Sequence, residues 1–277
     1  MNIGVLSGKG GTGKTTVSTN LAYILKAAYI DSDVEEPNGF IFLKPEIISS
    51  EEVKIAYPVI DDEKCTNCGK CAEACQFNAL VKTKKDIILF QKLCHGCEAC
   101  GVACPVGAIS FEDRKIGLIE VGMSGDIKCM RGILDIGEPL AVPVIKGLLK
   151  RIDSNGVNVI DCSPGTSCNV VNTLQYVDMA ILVTEPSEFG LHDLKLAVGL
   201  VRKFNIPFGI VINKESSDKN IIRDYCEKEN IQIFGSIPYE REIAEIYSNG
   251  NMLVDNEKYR NIFKGIAKSA KAVIEWN

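Results

Sequence analysis

The sequence predicts an α/β fold, a doubly wound, mostly parallel sheet with helices on both faces, into which a small α+β unit is inserted. Three observations predict it. Val- and Ile-rich runs of strand length alternate with helical patterns, the rhythm of successive βαβ crossovers. A glycine-rich phosphate-loop motif stands where the first run ends and the first helical pattern begins. From Tyr57 to Arg114 the alternation stops, and this stretch of about 58 residues holds eight of the twelve cysteines.

The opening run, Ile3 to Leu6, is short and continuously apolar, as a strand buried on both faces must be. Gly8-Lys9-Gly10-Gly11-Thr12-Gly13-Lys14-Thr15-Thr16 follows, fits G-x4-G-K-[ST], and leads into a helical pattern from Thr15 to Lys26. Such glycines let backbone N–H groups close on phosphate oxygens at a helix N-terminus. Lys14 then reaches the β and γ phosphates, and the Thr15 hydroxyl is placed to ligate Mg²⁺. Tyr29 to Ile30 is the second strand. After the interruption come strands at Gly117 to Val121, Val157 to Ile160, Met179 to Val183, Phe208 to Ile212 and Ile231 to Phe234, with helical patterns at Val142 to Ile152, Asp193 to Phe204 and Asn220 to Glu229. The last pattern, Tyr259, Ile262, Phe263, Ile266, Ala270, Val273 and Ile274, is expected to pack on the sheet; Lys264, Lys268 and Lys271 are too modest a basic content for a membrane-surface helix. This organisation gives one discontinuous domain, residues 1–56 and 115–277, and an inserted domain, residues 57–114.

Lys plus Arg number 31 against 36 Asp plus Glu, and no long basic run offsets the net charge of −5, so a broad nucleic-acid face is not expected. The first residues lack a charged segment leading into an apolar one, and no apolar run approaches the ~18 residues of a membrane span, so a cytoplasmic location is expected. Twelve cysteines in a reducing compartment point to metal binding or redox work. The two histidines, His95 and His192, are too few for a multi-imidazole site.

Cys65, Cys68, Cys71 and Cys75 follow the spacing C-x2-C-x2-C-x3-C, and Cys94, Cys97, Cys100 and Cys104 repeat it 29 residues later, with Pro105 after the last. All-cysteine zinc sites are the competing reading, but they rarely use four cysteines per run in an interleaved repeat. The segment closely resembles the two-cluster bacterial ferredoxin module, apart from Gln76 where that family usually has Pro. The resemblance implies one [4Fe-4S] cluster on Cys65, Cys68, Cys71 and Cys104 and a second on Cys94, Cys97, Cys100 and Cys75.

Lys9 narrows the phosphate-loop match: K-G-G-x-G-K-T resembles the deviant Walker A motif of the MinD/ParA superfamily of P-loop ATPases, which includes the nitrogenase iron protein and the Mrp-type iron–sulfur carriers. The resemblance covers residues 1 to about 55 and about 115 to 277, and it is greatest to MinD-type ATPases carrying an inserted ferredoxin domain. It implies an ATP-sandwich homodimer in which Lys9 reaches the phosphates across the interface. It also implies that Asp33, in Asp31-Ser32-Asp33-Val34-Glu35-Glu36-Pro37-Asn38, positions the attacking water. Asp161, opening Asp161-Cys162-Ser163-Pro164-Gly165-Thr166, would hold the Mg²⁺ shell. Asn213 would contact adenine, and Pro238 would lie in the loop over the base. In the nitrogenase iron protein and its relatives two cysteines per subunit share a [4Fe-4S] cluster across the dimer; by resemblance Cys129 and Cys168 are the candidates here, the alternative being an exposed loop thiol and a buried helix-start residue. Cys162 and Cys226 are expected to be small buried residues.

The expectation is therefore a dimeric ATPase, hydrolysing Mg·ATP to gate electron transfer from its clusters to an acceptor. An ATP-dependent iron–sulfur carrier or scaffold is the alternative, and a ParA/MinD-like positioning ATPase a second one.

Overall fold

The computed structural model describes residues 1–217 and 220–275, with side chains through Val273. β1 (Asn2–Leu6) runs up the middle of the main sheet, and its side chains alternate between two cores: Ile3 and Val5 join one, Leu6 the other. The chain continues through α1 (Lys14–Leu25), β2 (Ala28–Asp31), the single-turn α2 (Gly39–Leu43) and the long β3 (Glu46–Ile60). A small lobe follows, made of α3 (Lys70–Ala74), β4 (Leu80–Lys82), β5 (Ile87–Leu89) and α4 (Ala99–Ala103). The chain returns along β6 (Ile109–Ser124), then β7 (Ile127–Leu134), α5 (Ala141–Leu149), β8 (Asn158–Asp161), α6 (Cys168–Leu174), β9 (Met179–Thr184) and α7 (Glu188–Lys203). It ends with β10 (Phe208–Glu215), α8 (Ile221–Lys228), β11 (Ile233–Pro238), α9 (Arg241–Ser248) and α10 (Glu257–Glu275).

The main sheet has nine strands in the order β11-β10-β9-β1-β8-β2-β7-β6-β3. Every pairing from β11 to β7 is parallel; β6 runs antiparallel to both β7 and β3. The mostly parallel α/β class holds, with one correction. Gly117 to Val121, read as a parallel strand, is the inner half of β6, with Gly117 opposite Leu134 and Ser124 opposite Ile127. A two-residue turn, Gly125-Asp126, joins β6 to β7, and so short a link can connect only antiparallel neighbours. β3 escaped notice because it is the sheet's outer strand and its Glu46–Glu52 half faces solvent.

One face of the sheet carries α5, α6, α7 and α8 over Val144, Ile145, Leu148, Val198 and Val201; the other carries α1 and α10 over Val17, Leu21, Phe263 and Ile266. α10 packs as expected, with Tyr259, Phe263, Ile266 and Ala270 buried; the side chain of Ile274 lies outside the described residues. No helix among the described residues is long and apolar enough to cross a membrane.

β3 and β6 extend as a two-stranded ribbon to the Ile60–Ile109 pair, so the domain boundaries drawn at 57 and 114 fall within these strands. The lobe beyond is built twice over. Left-handed residues recur in register: Asn67 and Gly96, Gly69 and Glu98, Asn78 and Gly107. Likewise Ala79 N–H donates to Cys75 Sγ and Ala108 N–H to Cys104 Sγ, both at 3.3 Å. The repeat in the sequence is thus a repeat in the backbone, closed around Cys71, Leu80 and Cys100.

Candidate functional site

Loops leaving the C-terminal ends of β1, β2, β8, β9 and β10 meet at one edge of the sheet, the usual place for a ligand in an open α/β fold. Gly13 ends the phosphate loop at φ 95°, and α1 starts at Lys14 with no side chain capping it. Its first N–H groups are therefore available to an anion. Gly10 and Gly11 are exposed at the loop's crest, Thr12 and Lys14 are buried, and Thr15 and Thr16 are half-buried in the first turn. Asn213, on β10 and 8% exposed, donates from Nδ2 to Thr12 O at 2.7 Å, pinning the loop from behind. A Cβ on Gly13 would come within 2.2 Å of that same Nδ2, so a side chain there would displace Asn213. Pro238, expected in a loop, is the last residue of β11, paired with Glu215.

Behind the loop two carboxylates are buried side by side. Asp31 and Asp161 end neighbouring strands in register, each 1% exposed, and both stand within hydrogen-bond reach of the Tyr29 hydroxyl, at 3.0 and 3.1 Å. Burial raises both carboxyls; Lys14 is the largest influence opposing this at Asp161, and the Gly39 N–H at Asp31. Asp161 Oδ1 and Thr12 Oγ1 are buried without a partner. These orphaned oxygens beside an ammonium and an uncapped helix end fit a Mg²⁺–nucleotide group, which Thr15 and Asp161 would hold. Asp33 lies half-buried beyond β2, its carboxyl pushed by burial to about 7 against the pull of Lys14. Lys14 thus sits among Asp33, Asp161 and the loop.

Lys9 points elsewhere. Its Nζ lies 2.5 Å from Glu185 Oε1, and Glu185 Oε2 takes Lys214 Nζ at 3.2 Å. Lys214 also donates to Gly11 O at 3.3 Å. Sequence reasoning missed Glu185, Tyr29 and Asp31 as members of this site; the signal for them was their position at or near the C-terminal ends of β9 and β2.

In the lobe, eight cysteines divide between two cavities. Cys75, Cys94, Cys97 and Cys100 line one, and Cys65, Cys68, Cys71 and Cys104 line the other. In each, one cysteine comes from the opposite half of the repeat. Among the described residues no three His, Cys, Asp or Glu side chains close on a point fit for a single metal ion. Four soft donors around a mainly apolar hollow suit a cluster better. Cys71, Cys94 and Cys100 are buried, whereas Cys68 and Cys97 each leave one corner exposed. Burial raises the Cys71 and Cys100 thiols, and the Lys70 N–H lowers that of Cys68.

The other candidate pair is not brought together. Cys129 is a strand residue opposite Tyr29, fully buried on the α1–α10 side, its thiol pushed up to about 12 by burial. Cys168 is exposed at the start of α6, whose Val170 and Leu174 pack on the opposite face. The sheet separates them, and Cys129 reaches no surface that a second chain could share. The expectation of a bridging cluster on Cys129 and Cys168 is corrected accordingly. Cys162 and Cys226 are buried, as expected.

The profile of the CobQ/CobB/MinD/ParA nucleotide binding domain matches residues 3–254. An uncharacterized protein of Methanocaldococcus jannaschii is 33% identical over 278 residues, which cover 96% of each chain. An iron-sulfur cluster carrier protein of Pyrococcus horikoshii is 26% identical over 282 residues, 91% of this chain and 78% of its own. Among solved structures, the septum site-determining protein MinD complexed with Mg-ADP, from Pyrococcus horikoshii, shares the fold with a TM-score of 0.57 at 19% identity, over 98% of this chain and 95% of that one. The chain belongs to the CobQ/CobB/MinD/ParA family of nucleotide-binding domains.

Proposed function

We propose that this protein is a homodimeric, Mg·ATP-hydrolysing ATPase that carries iron–sulfur clusters in a ferredoxin-like insertion. The observation that carries the proposal is the division of eight cysteines into two four-cysteine cavities, on the same chain as a complete phosphate loop. Similarity to a protein named as an iron–sulfur cluster carrier supports the carrier reading over electron transfer, the reading first expected from the sequence. The exposed Cys68 and Cys97 support it too, since a cargo must be reachable by the ligands of its acceptor.

In this reading Lys14 and the first N–H groups of α1 hold the β and γ phosphates, and Gly10 to Thr16 wrap them. Lys9 adds a second ammonium, Asp33 orients the attacking water, and Asp161 with Thr15 holds Mg²⁺, which neutralises phosphate charge. Asn213 and Pro238 border the base. Two [4Fe-4S] clusters are the cargo, one for each cysteine set.

A second reading, electron transfer by resident clusters, is favoured by the closure of each set with buried Cys71, Cys94 and Cys100. One experiment separates the two. Anaerobically reconstituted protein should hold about 8 iron atoms per chain, four per cluster. Incubated with an apo-ferredoxin and Mg·ATP, a carrier loses that iron to the acceptor, whereas an electron carrier keeps it. Protein that takes up no iron overturns both readings.

A further inference from the structure

We infer that the two cysteine cavities are inequivalent: the Cys75/Cys94/Cys97/Cys100 cavity is the one that nucleotide controls, and the Arg114–Glu138 ion pair is the positioning element linking it to the Asp33–Val34 loop. The inference rests on the iron–sulfur reading above.

The two cavities differ in their distance from the main sheet. Ala56 and Pro58, part-way along the ribbon, line the Cys94 cavity, whereas Ile60 and Ile109, at its far end, line the Cys65 cavity. Gly96, between Cys94 and Cys97, is so close to β3 that a Cβ there would sit 3.0 Å from Ala56 O. The segment following β7 also reaches this side of the lobe. Gly137, Pro139 and Leu140 share a groove with Phe77, Leu93 and His95, residues that neighbour Cys75 and Cys94 in sequence.

That same segment is tied to the nucleotide site. Leu134 N–H donates to Val34 O at 2.8 Å, one residue from Asp33. Val34 is fully buried, and Gly132 of β7 is packed so tightly on it that an added Cβ would meet Val34 Cγ1 at 2.6 Å. A displacement of Val34 must therefore push on the end of β7. The next anchor is Glu138, which accepts from Leu140 N–H at 3.3 Å and from Arg114 Nη1 at 2.5 Å. Arg114 stands on β6 with its guanidinium 6.0 Å from the ring of Tyr57, the residue between Ala56 and Pro58. Its Nε and Nη2 are buried with no partner. A half-buried arginine satisfied at one nitrogen and short at two resists displacement weakly, because a new position that finds them acceptors offsets the loss of the old one. Such a pair can take two arrangements, as a coupling element requires. No comparable connection to the nucleotide loops touches the Cys65 cavity among the described residues.

The test uses the reconstituted full chain and the rate at which a ferrous chelator removes iron, with and without a non-hydrolysable ATP analogue and Mg²⁺. Cys68→Ser leaves only the Cys94 cavity loaded, and Cys97→Ser only the Cys65 cavity. The expected result is a nucleotide-dependent change of about fivefold or more in Cys68→Ser protein and none in Cys97→Ser protein. Adding Glu138→Gln to Cys68→Ser should reduce that change to less than about twofold, with analogue binding and the circular dichroism of the folded protein unaltered, whereas Lys115→Gln on the neighbouring exposed pair should preserve it. Equal responses from both cavities, a response from the Cys65 cavity alone, no response from either, or a response that survives Glu138→Gln would each overturn the inference. A second readout needs no cysteine variant: in the reduced wild type, nucleotide should shift one of two cluster signals in electron paramagnetic resonance, and Glu138→Gln should abolish the shift. Wild-type protein holding no iron would overturn the iron–sulfur reading itself, and this inference with it.

Discussion

Glu185 holds Lys9 within its own chain, Oε1 to Nζ at 2.5 Å, and ties in Lys214 through its other oxygen. The hydrogen bond from Lys9 is the main reason the Glu185 carboxyl stays below the usual carboxylate range. If Lys9 reaches phosphate across a dimer, this pair must open first. A partly exposed ion pair of this kind contributes ~0.5–1 kcal/mol. Glu185→Gln should therefore lower the concentration of ATP analogue at which the dimer forms by about two- to fivefold, read by sedimentation velocity. Unchanged or weakened dimerisation would show that Glu185 does not hold Lys9 back.

Gly13 and Asn213 form a coupled unit. At φ 95° an alanine is strained, and its Cβ would stand 2.2 Å from the Nδ2 that secures Thr12 O. Gly13→Ala should cost ~2–3 kcal/mol in urea unfolding and abolish nucleotide binding. Asn213→Ala alone should cost ~1 kcal/mol for its hydrogen bond. The double variant should be less damaged than the sum by ~1 kcal/mol or more, since the second substitution removes the clash. Strict additivity would assign the whole cost to the backbone.

What the sequence disclosed and what it hid divide along physical lines. Local spacing specifies local turns, so the strand, loop and helix around Lys14 and the doubled cysteine turns of the lobe stand where the motifs placed them. Long-range register is not written locally. Tyr29 meets Asp161 and Lys9 meets Glu185 only because β2 pairs with β8 and β9 lies beside β1. Resemblance offered Cys129 as a cluster ligand, yet it lies within β7; nearby Gly132 serves close packing on Val34 and Gly122 close packing on Pro45 and Glu46, while Gly125 makes the hairpin turn. On β7 the charged Arg131 is paired with Glu120 across the ladder and covers Phe40.

The burial of Cys129 has a direct chemical consequence. A thiol held near 12 and shielded from solvent is a poor nucleophile, whereas Cys168 is exposed. In native reconstituted protein at pH 8, iodoacetamide should modify Cys168 and leave Cys129, Cys162 and Cys226 intact until denaturant is added, as peptide mass mapping would show. Cys129→Ser with Cys168→Ser should leave iron at about 8 atoms per chain. A fall from about 10 to about 8 would restore the shared cluster.

Asp33 should make the stability of the nucleotide-free protein depend on pH. Its folded-state value of about 7 lies above the ordinary 3.8, so the folded chain holds this proton more tightly than the unfolded one. The carboxyl's unfavourable burial is thus nearly absent below about pH 4, grows as pH rises, and is complete above about pH 7. Asp33→Asn removes an ionisable group from that setting without changing its size. Relative to wild type, the variant should gain stability between pH 5 and pH 8 by roughly 1–2 kcal/mol, after allowing for solvent screening of a half-buried group. Chemical denaturation of nucleotide-free protein across that range checks it, and a gap that stayed constant or narrowed with rising pH would mean that Lys14 fully compensates the burial.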